Sequence, residues 1–207
     1  MSRLAARASL LLAVLGACTG KRVEVPLAAA AEAAALEFTD TKAFRWTMDD
    51  GAGCLELHGA SDYQPPHRSP LAMALLREPQ FGDFVLRVRA KQTGREYPHR
   101  DLIVVFAYRD AAHFAYAHLA SAADPNAHHV MLVDGADRRP VTTSRTAGVP
   151  WGDRWHELEL RRDGTKVEVL FDGAAVLAGD VPAGAGRVGV GSFDDTGRFR
   201  ALSVMPR

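Results

Sequence analysis

Cysteine is nearly absent: the 207-residue chain carries only Cys18 and Cys54. Cys18 belongs to a leader motif described below, which leaves Cys54 without a partner and excludes a disulfide framework. Cys54 lies in the alternation Gly53-Cys54-Leu55-Glu56-Leu57 and reads as a small buried hydrophobe rather than a catalytic thiol. Net charge is also absent, with 25 basic and 25 acidic residues interspersed along the chain. That balance excludes a nucleic-acid partner held through net charge. Beyond the leader no apolar run approaches membrane-spanning length, and no internal repeat is visible. Stability must therefore come from apolar burial and strand pairing.

The leader itself is informative. Arg3 and Arg7 precede the apolar run Ala8 to Leu15, which ends in Leu15-Gly16-Ala17-Cys18. A basic segment, a short apolar segment and small residues before a cleavage point form a secretory signal over residues 1–17. The cysteine directly after Leu-Gly-Ala resembles the bacterial lipobox, in which that thiol receives a diacylglycerol and becomes the mature N-terminus. The expectation is an exported chain held to the cell envelope by a lipid on Cys18. Thr19 is not the aspartate that retains such proteins in the inner membrane of enteric bacteria, which favours the outer membrane. Removing the leader, with its two arginines and no acids, leaves two more acids than bases.

Residues 18–36 read as a tether, with a marginal helix predicted over Ala28 to Leu36 from its alanine content. From residue 37 to 207 the pattern is β. Phe84 to Lys91 alternates, placing Phe84, Leu86, Val88 and Ala90 inward and Arg87, Arg89 and Lys91 outward. Leu102 to Tyr108 is apolar on both faces and reads as a central strand, followed by strands over Phe114 to Leu119 and His129 to Val133. Trp155 to Arg161 alternates again, with Glu157 and Glu159 expected to face solvent. Asp163-Gly164 and Asp172-Gly173 are hairpin signals, and Asp194-Asp195-Thr196-Gly197 reads as a tight turn between two last strands. Many short strands and little helix predict an all-β, two-sheet antiparallel β-sandwich. The length favours a jelly roll over an immunoglobulin-like domain.

Several segments resemble the concanavalin A-like lectin/glucanase superfamily, and within it laminin-G-like domains and the bacterial 3-keto-disaccharide hydrolase-like domain. They are Phe81-Gly82-Asp83-Phe84-Val85-Leu86, Val105 to Asp110, His113 to Tyr116, Trp155 to Leu160, Val169 to Gly173 and Gly186 to Gly191. The resemblance implies two stacked sheets, one concave and often bearing a glycan groove, and a core role for Trp155. It is specific for the fold and weakly specific for function. The Glu-x-Asp-x-x-Glu strand of the glucanases is missing, as is the Gln-x-His pattern of the jelly-roll alginate lyases, so no catalytic motif carries over.

The histidines, eight in all, supply the remaining signal. Tyr116 and His118 are two apart on one strand and project from one face. If consecutive strands are neighbours, His118 and one of His128 and His129 would share that face near Arg100 or His99. Imidazole moves protons at neutral pH, arginine binds carboxylates bidentately and tyrosine offers a stacking face. The set His118, Tyr116, His128 and Arg100 is thus the candidate catalytic group of a glycoside hydrolase or polysaccharide lyase. Arg68, His99, Arg138 and Trp151 are candidate substrate contacts, although for Trp151 packing on the sandwich edge is the favoured reading. The same residues suit plain carbohydrate binding, and a protein–protein adhesion module is a third reading. No compact zinc spacing occurs. The resemblance implies a structural calcium, for which Asp194 and Asp195 are the candidate ligands.

Overall fold

Period-two alternation sorts this chain into two layers. The computed structural model describes residues 20–207; the leader 1–17 and Cys18 lie outside the described residues. The strands, in chain order, are β1 (Val23–Val25), β2 (Leu36–Phe38), β3 (Phe44–Asp49), β4 (Ala52–Leu57), β5 (Ala72–Leu76) and β6 (Phe84–Gln92). Then come β7 (Asp101–Asp110), β8 (His113–Ala120), β9 (His129–Asp134), β10 (Arg139–Pro140) and β11 (Thr142–Arg145). The last are β12 (His156–Asp163), β13 (Lys166–Phe171), β14 (Ala174–Asp180), β15 (Arg187–Ser192) and β16 (Gly197–Pro206). A nine-stranded sheet runs in the order β11-β14-β13-β12-β6-β16-β4-β3, with β1 also paired to β16; a seven-stranded sheet runs β10-β9-β8-β7-β15-β5-β2.

The two sheets stack as a β-sandwich around one apolar core. The inward residues of β6 named above meet Leu158 and Leu160 of β12, and Leu102, Val104 and Phe106 of β7 oppose them from the other sheet. The continuous apolar run of β7 has a second use. Ile103 and Val105 join Met73, Leu75, Phe114, Tyr116, Met131 and Val133 in a separate cluster on the outer face of the seven-stranded sheet. That face is covered by the segment 58–70, whose Tyr63 packs onto the cluster. A bulge at Ala107, which has φ 52°, then shifts the register between β7 and β8. The turn at Asp172 and Gly173 has φ of 49° and 82°, the left-handed pair that a two-residue hairpin needs.

Four expectations change. The helix over Ala28 to Leu36 is a short 3-10 turn, Ala30–Ala35, with no side-chain N-cap and no buried residue. It has no bulky apolar stripe to bury, so nothing favours its extension. The tether is shorter than residues 18–36, because Val23–Val25 pairs with β16 and Leu27 is fully buried. Glu159 does not face solvent: it is buried between Arg87 (2.5 Å) and Arg161, whereas Glu157 is exposed. Trp155 lies outside the inter-sheet core, beneath Arg200 and Arg89, whose guanidinium carbons stand 4.0 and 5.9 Å from its ring. Cys54 is fully buried, and burial pushes its thiol up from the ordinary value. Among the described residues no helix is long and apolar enough to cross a membrane.

Candidate functional site at the sheet rim

Up to the bulge at Ala107, odd-numbered residues of β7 share the outer face of the seven-stranded sheet with even-numbered residues of β8. In register, Ile103 sits opposite His118 and Val105 opposite Tyr116. Asp101 belongs to the same face, one step along β7, and is 1 % exposed. After β15 the chain does not make a hairpin. Residues 193–196 arch from one sheet to the other, since β15 and β16 lie in different sheets. This corrects the tight turn expected there.

Asp101 ties that arch down. Its carboxylate accepts the Ser192 hydroxyl (2.9 Å) and the Phe193 N–H (3.2 Å). The Asp101 N–H donates to Asp195 (3.0 Å), whose carboxylate also accepts the Tyr97 hydroxyl (2.7 Å). The remaining Asp101 oxygen stands 3.1 Å from His118 Nε2. The contact is off-line, so neither nitrogen of this buried imidazole has an aligned partner.

The arch brings three carboxylates together: oxygens of Asp101, Asp194 and Asp195 lie within 4.8 Å of one another. Loss of water lifts the Asp195 carboxyl above its ordinary value, against the Tyr97 and Asp101 bonds that lower it. Asp194 is lifted by loss of water first and by the Asp101 charge second. These are hard oxygen donors with crowded negative charge, and they fit a calcium ion. Beside them Phe193 carries two guanidinium groups, Arg138 at 4.1 Å and Arg68 at 5.9 Å from its ring. Arg138 also donates to the Tyr116 hydroxyl (3.0 Å). Two hydrogen bonds join the 58–70 segment to the β9–β10 turn: Arg68 N–H to the Asp137 carboxylate (2.9 Å) and Arg138 N–H to the Arg68 carbonyl (3.1 Å).

The structure thus brings Tyr116, His118, Arg68, Arg138, Asp194 and Asp195 into one neighbourhood. It does not bring in the other candidates. Arg100 has the opposite parity to Asp101 and turns toward the nine-stranded sheet, donating to Gln92 (2.7 Å), Glu96 (3.0 Å) and Asp153 (3.1 Å). His99 pairs with Asp124 on the surface. His128, at φ 60°, is buried against Thr146, and burial pushes its pKa down to about 4. His129 faces His118 in register, but its ring is held by Thr142 and the Asp124 carbonyl. Trp151 is core: 1 % exposed, with its indole N–H donating to the Leu119 carbonyl (3.0 Å).

The proposed catalytic group is therefore not assembled. Tyr116 is fully buried with its hydroxyl held by Arg138, and its phenol is pushed up to about 12 chiefly by burial. It stays protonated at neutral pH. Asp101, Tyr97 and Phe193 are the site residues that the sequence analysis passed over. For Asp101 the signal was available, because its spacing from Ile103 and Val105 puts it on the Tyr116 face.

A scan against protein-family models matches none, and a search of curated proteins finds no similar sequence. Solved structures do match. The carbohydrate-binding module CBM66 from Bacillus subtilis aligns with TM-score 0.59 at 10 % identity, over 83 % of this chain and 95 % of that one. The lectin I-B4 from Griffonia simplicifolia, in its metal-free form, aligns with TM-score 0.55 at 13 % identity, over 89 % and 98 %. Domain 4 of AbnA, a GH43 extracellular arabinanase from Geobacillus stearothermophilus solved with arabinotriose, aligns with TM-score 0.52 at 12 % identity, over 83 % and 82 %. At such identities the likeness carries the fold, a concanavalin A-like jelly-roll sandwich, and nothing finer.

The buried histidine gives a pH test. Folded His128 stays neutral down to about pH 4, while the unfolded chain takes its proton near 6.5. Stability should accordingly fall as pH drops from 6.5 toward 4, by up to about 3 kcal/mol from this group. Urea midpoints measured across that range should fall less steeply for His128→Asn, since asparagine tolerates the positive φ and does not titrate. An equal slope in both proteins would contradict the assignment.

Proposed function

We propose that this domain binds carbohydrate at the rim where the 58–70 segment, the β9–β10 turn and the 193–196 arch meet. The observation that carries the reading is the convergence there of Arg68, Arg138, Asp194 and Asp195 around Phe193. Guanidinium and carboxylate groups at a partly open edge are the donors and acceptors that sugar hydroxyls require. The named functions of the module and the lectin that share its fold, and the arabinotriose held by the arabinanase domain, support the same reading. Binding is favoured over hydrolysis or elimination by the buried Tyr116 hydroxyl and by the burial of Arg100 against Gln92, away from the Tyr116 face.

A calcium ion on Asp194 and Asp195, joined by Asp101, belongs to this proposal. It would offset the crowded negative charge and stiffen the arch. The mature domain should bind members of a polysaccharide panel without releasing reducing ends or unsaturated products. Asp194→Asn or calcium chelation should weaken that binding at least tenfold, whereas Glu157→Gln on the far sheet should not. Absence of binding across the panel would refute the reading.

The chain is further proposed to be exported and anchored to the outer membrane by a lipid on Cys18. Four residues separate Cys18 from β1, a reach of only about 15 Å even fully extended. The sandwich would then sit close to the bilayer. Expressed in a Gram-negative host, the wild type should take up an alkyne-tagged fatty acid and fractionate with membranes, while Cys18→Ser should be unlabelled. Labelling of the variant, or none of the wild type, would rule the anchor out.

A further inference from the structure

We propose that Arg68 and Arg138 form a carboxylate-binding pair, so that the carbohydrate bound at this rim is an acidic one, a uronate-containing glycan. The inference rests on the carbohydrate reading above and narrows it to a substrate class.

Among the described residues neither arginine has a carboxylate within ion-pair distance, whereas several other arginines do. Arg45 and Arg198 share Glu56, Arg87 and Arg161 share Glu159, and Arg187 holds Glu37. Both guanidinium groups instead stand over the single ring of Phe193, at 4.1 and 5.9 Å. Two like charges within roughly one Debye length of each other create a place for an anion.

The pair is also held in position before any ligand arrives. Arg138 is fixed by the Phe193 face and by the Tyr116 hydroxyl at 3.0 Å. Those two contacts leave most of its five N–H donors free. The bonds from Arg68 N–H to the Asp137 carboxylate and from Arg138 N–H to the Arg68 carbonyl hold the two backbones together. The Arg138 side chain is thus largely ordered before binding, and a planar fork matches a carboxylate with two parallel hydrogen bonds. Neutral sugars offer no group that exploits both charges.

The nearby acids set the counter-argument, since Asp101, Asp194 and Asp195 would repel an anion. A divalent cation held by those three carboxylates would offset their charge and so remove that repulsion. Acidic-glycan binding is therefore expected to require calcium, and to weaken with salt as long-range charge is screened.

The test compares polygalacturonate and alginate oligosaccharides with neutral galactan and glucan oligosaccharides of equal length, by calorimetry on the mature domain with calcium. The uronate series should bind at least tenfold more tightly. Arg68→Ala, at an exposed position, and Arg138→Lys, which keeps the charge but not the fork, should each remove most of that preference. Neutral oligosaccharides, which meet these arginines only through hydroxyls, should lose far less affinity in both variants than the uronate series does. Equal affinity for the two series, or a uronate preference untouched by both substitutions, would overturn the pair while leaving carbohydrate binding intact. No binding of either series would remove the broader reading and this inference together.

Discussion

The rim depends on one buried carboxylate. Asp101 is almost wholly removed from water, and a lone charge there would cost several kcal/mol. The chain compensates by aiming the Ser192 hydroxyl and the Phe193 N–H at it. Those donors belong to the last residue of β15 and the first of the arch, so compensating the charge also fixes where the chain leaves the seven-stranded sheet. The backbone of Asp101 then holds Asp195. One residue thereby sets the positions of Phe193, Asp194 and Asp195, and through the Phe193 ring those of Arg138 and Arg68.

The second constraint is the apolar outer face of the seven-stranded sheet. Ile103, Val105, Phe114, Tyr116 and Met131 would expose a large greasy patch if left open. The 58–70 segment closes it, anchored by Asp62 N–H on Asp40, Arg68 N–H on Asp137 and Leu71 N–H on the Phe193 carbonyl. The middle of the sheet is therefore not the place where a ligand meets the protein. Chemistry moves to the edge of the covering segment, where Arg68 and Arg138 emerge beside the arch.

Much of the fold was legible because alternation is a local signal. The β6 pattern and the double-sided apolar run of β7 read directly as a half-buried and a central strand, and Asp163-Gly164 and Asp172-Gly173 marked their hairpins. The sheet partners were not legible. Asp194 to Thr196 resembles any tight turn, and only tertiary packing makes it an arch between sheets. The site was half legible for the same reason. Tyr116 and His118 share a face by spacing alone, and spacing also separates Arg100 from Asp101. The capacity of arginine to bind carboxylates made Arg100 the more attractive partner, yet parity sends it to the other sheet. The burial of Glu159 by Arg87 and Arg161 and the closing of the outer face by residues 58–70 are long-range contacts that no window of sequence contains.

The most direct measurement of this account is amide hydrogen exchange along the arch in the wild type and in Asp101→Ala. If the Asp101 carboxylate holds the rim, the Phe193 and Asp195 amides should exchange much faster in the variant. Amides of β6 and β12 should stay protected, and ligand affinity should be lost. Unchanged protection at Phe193 in a folded variant that still binds would contradict it.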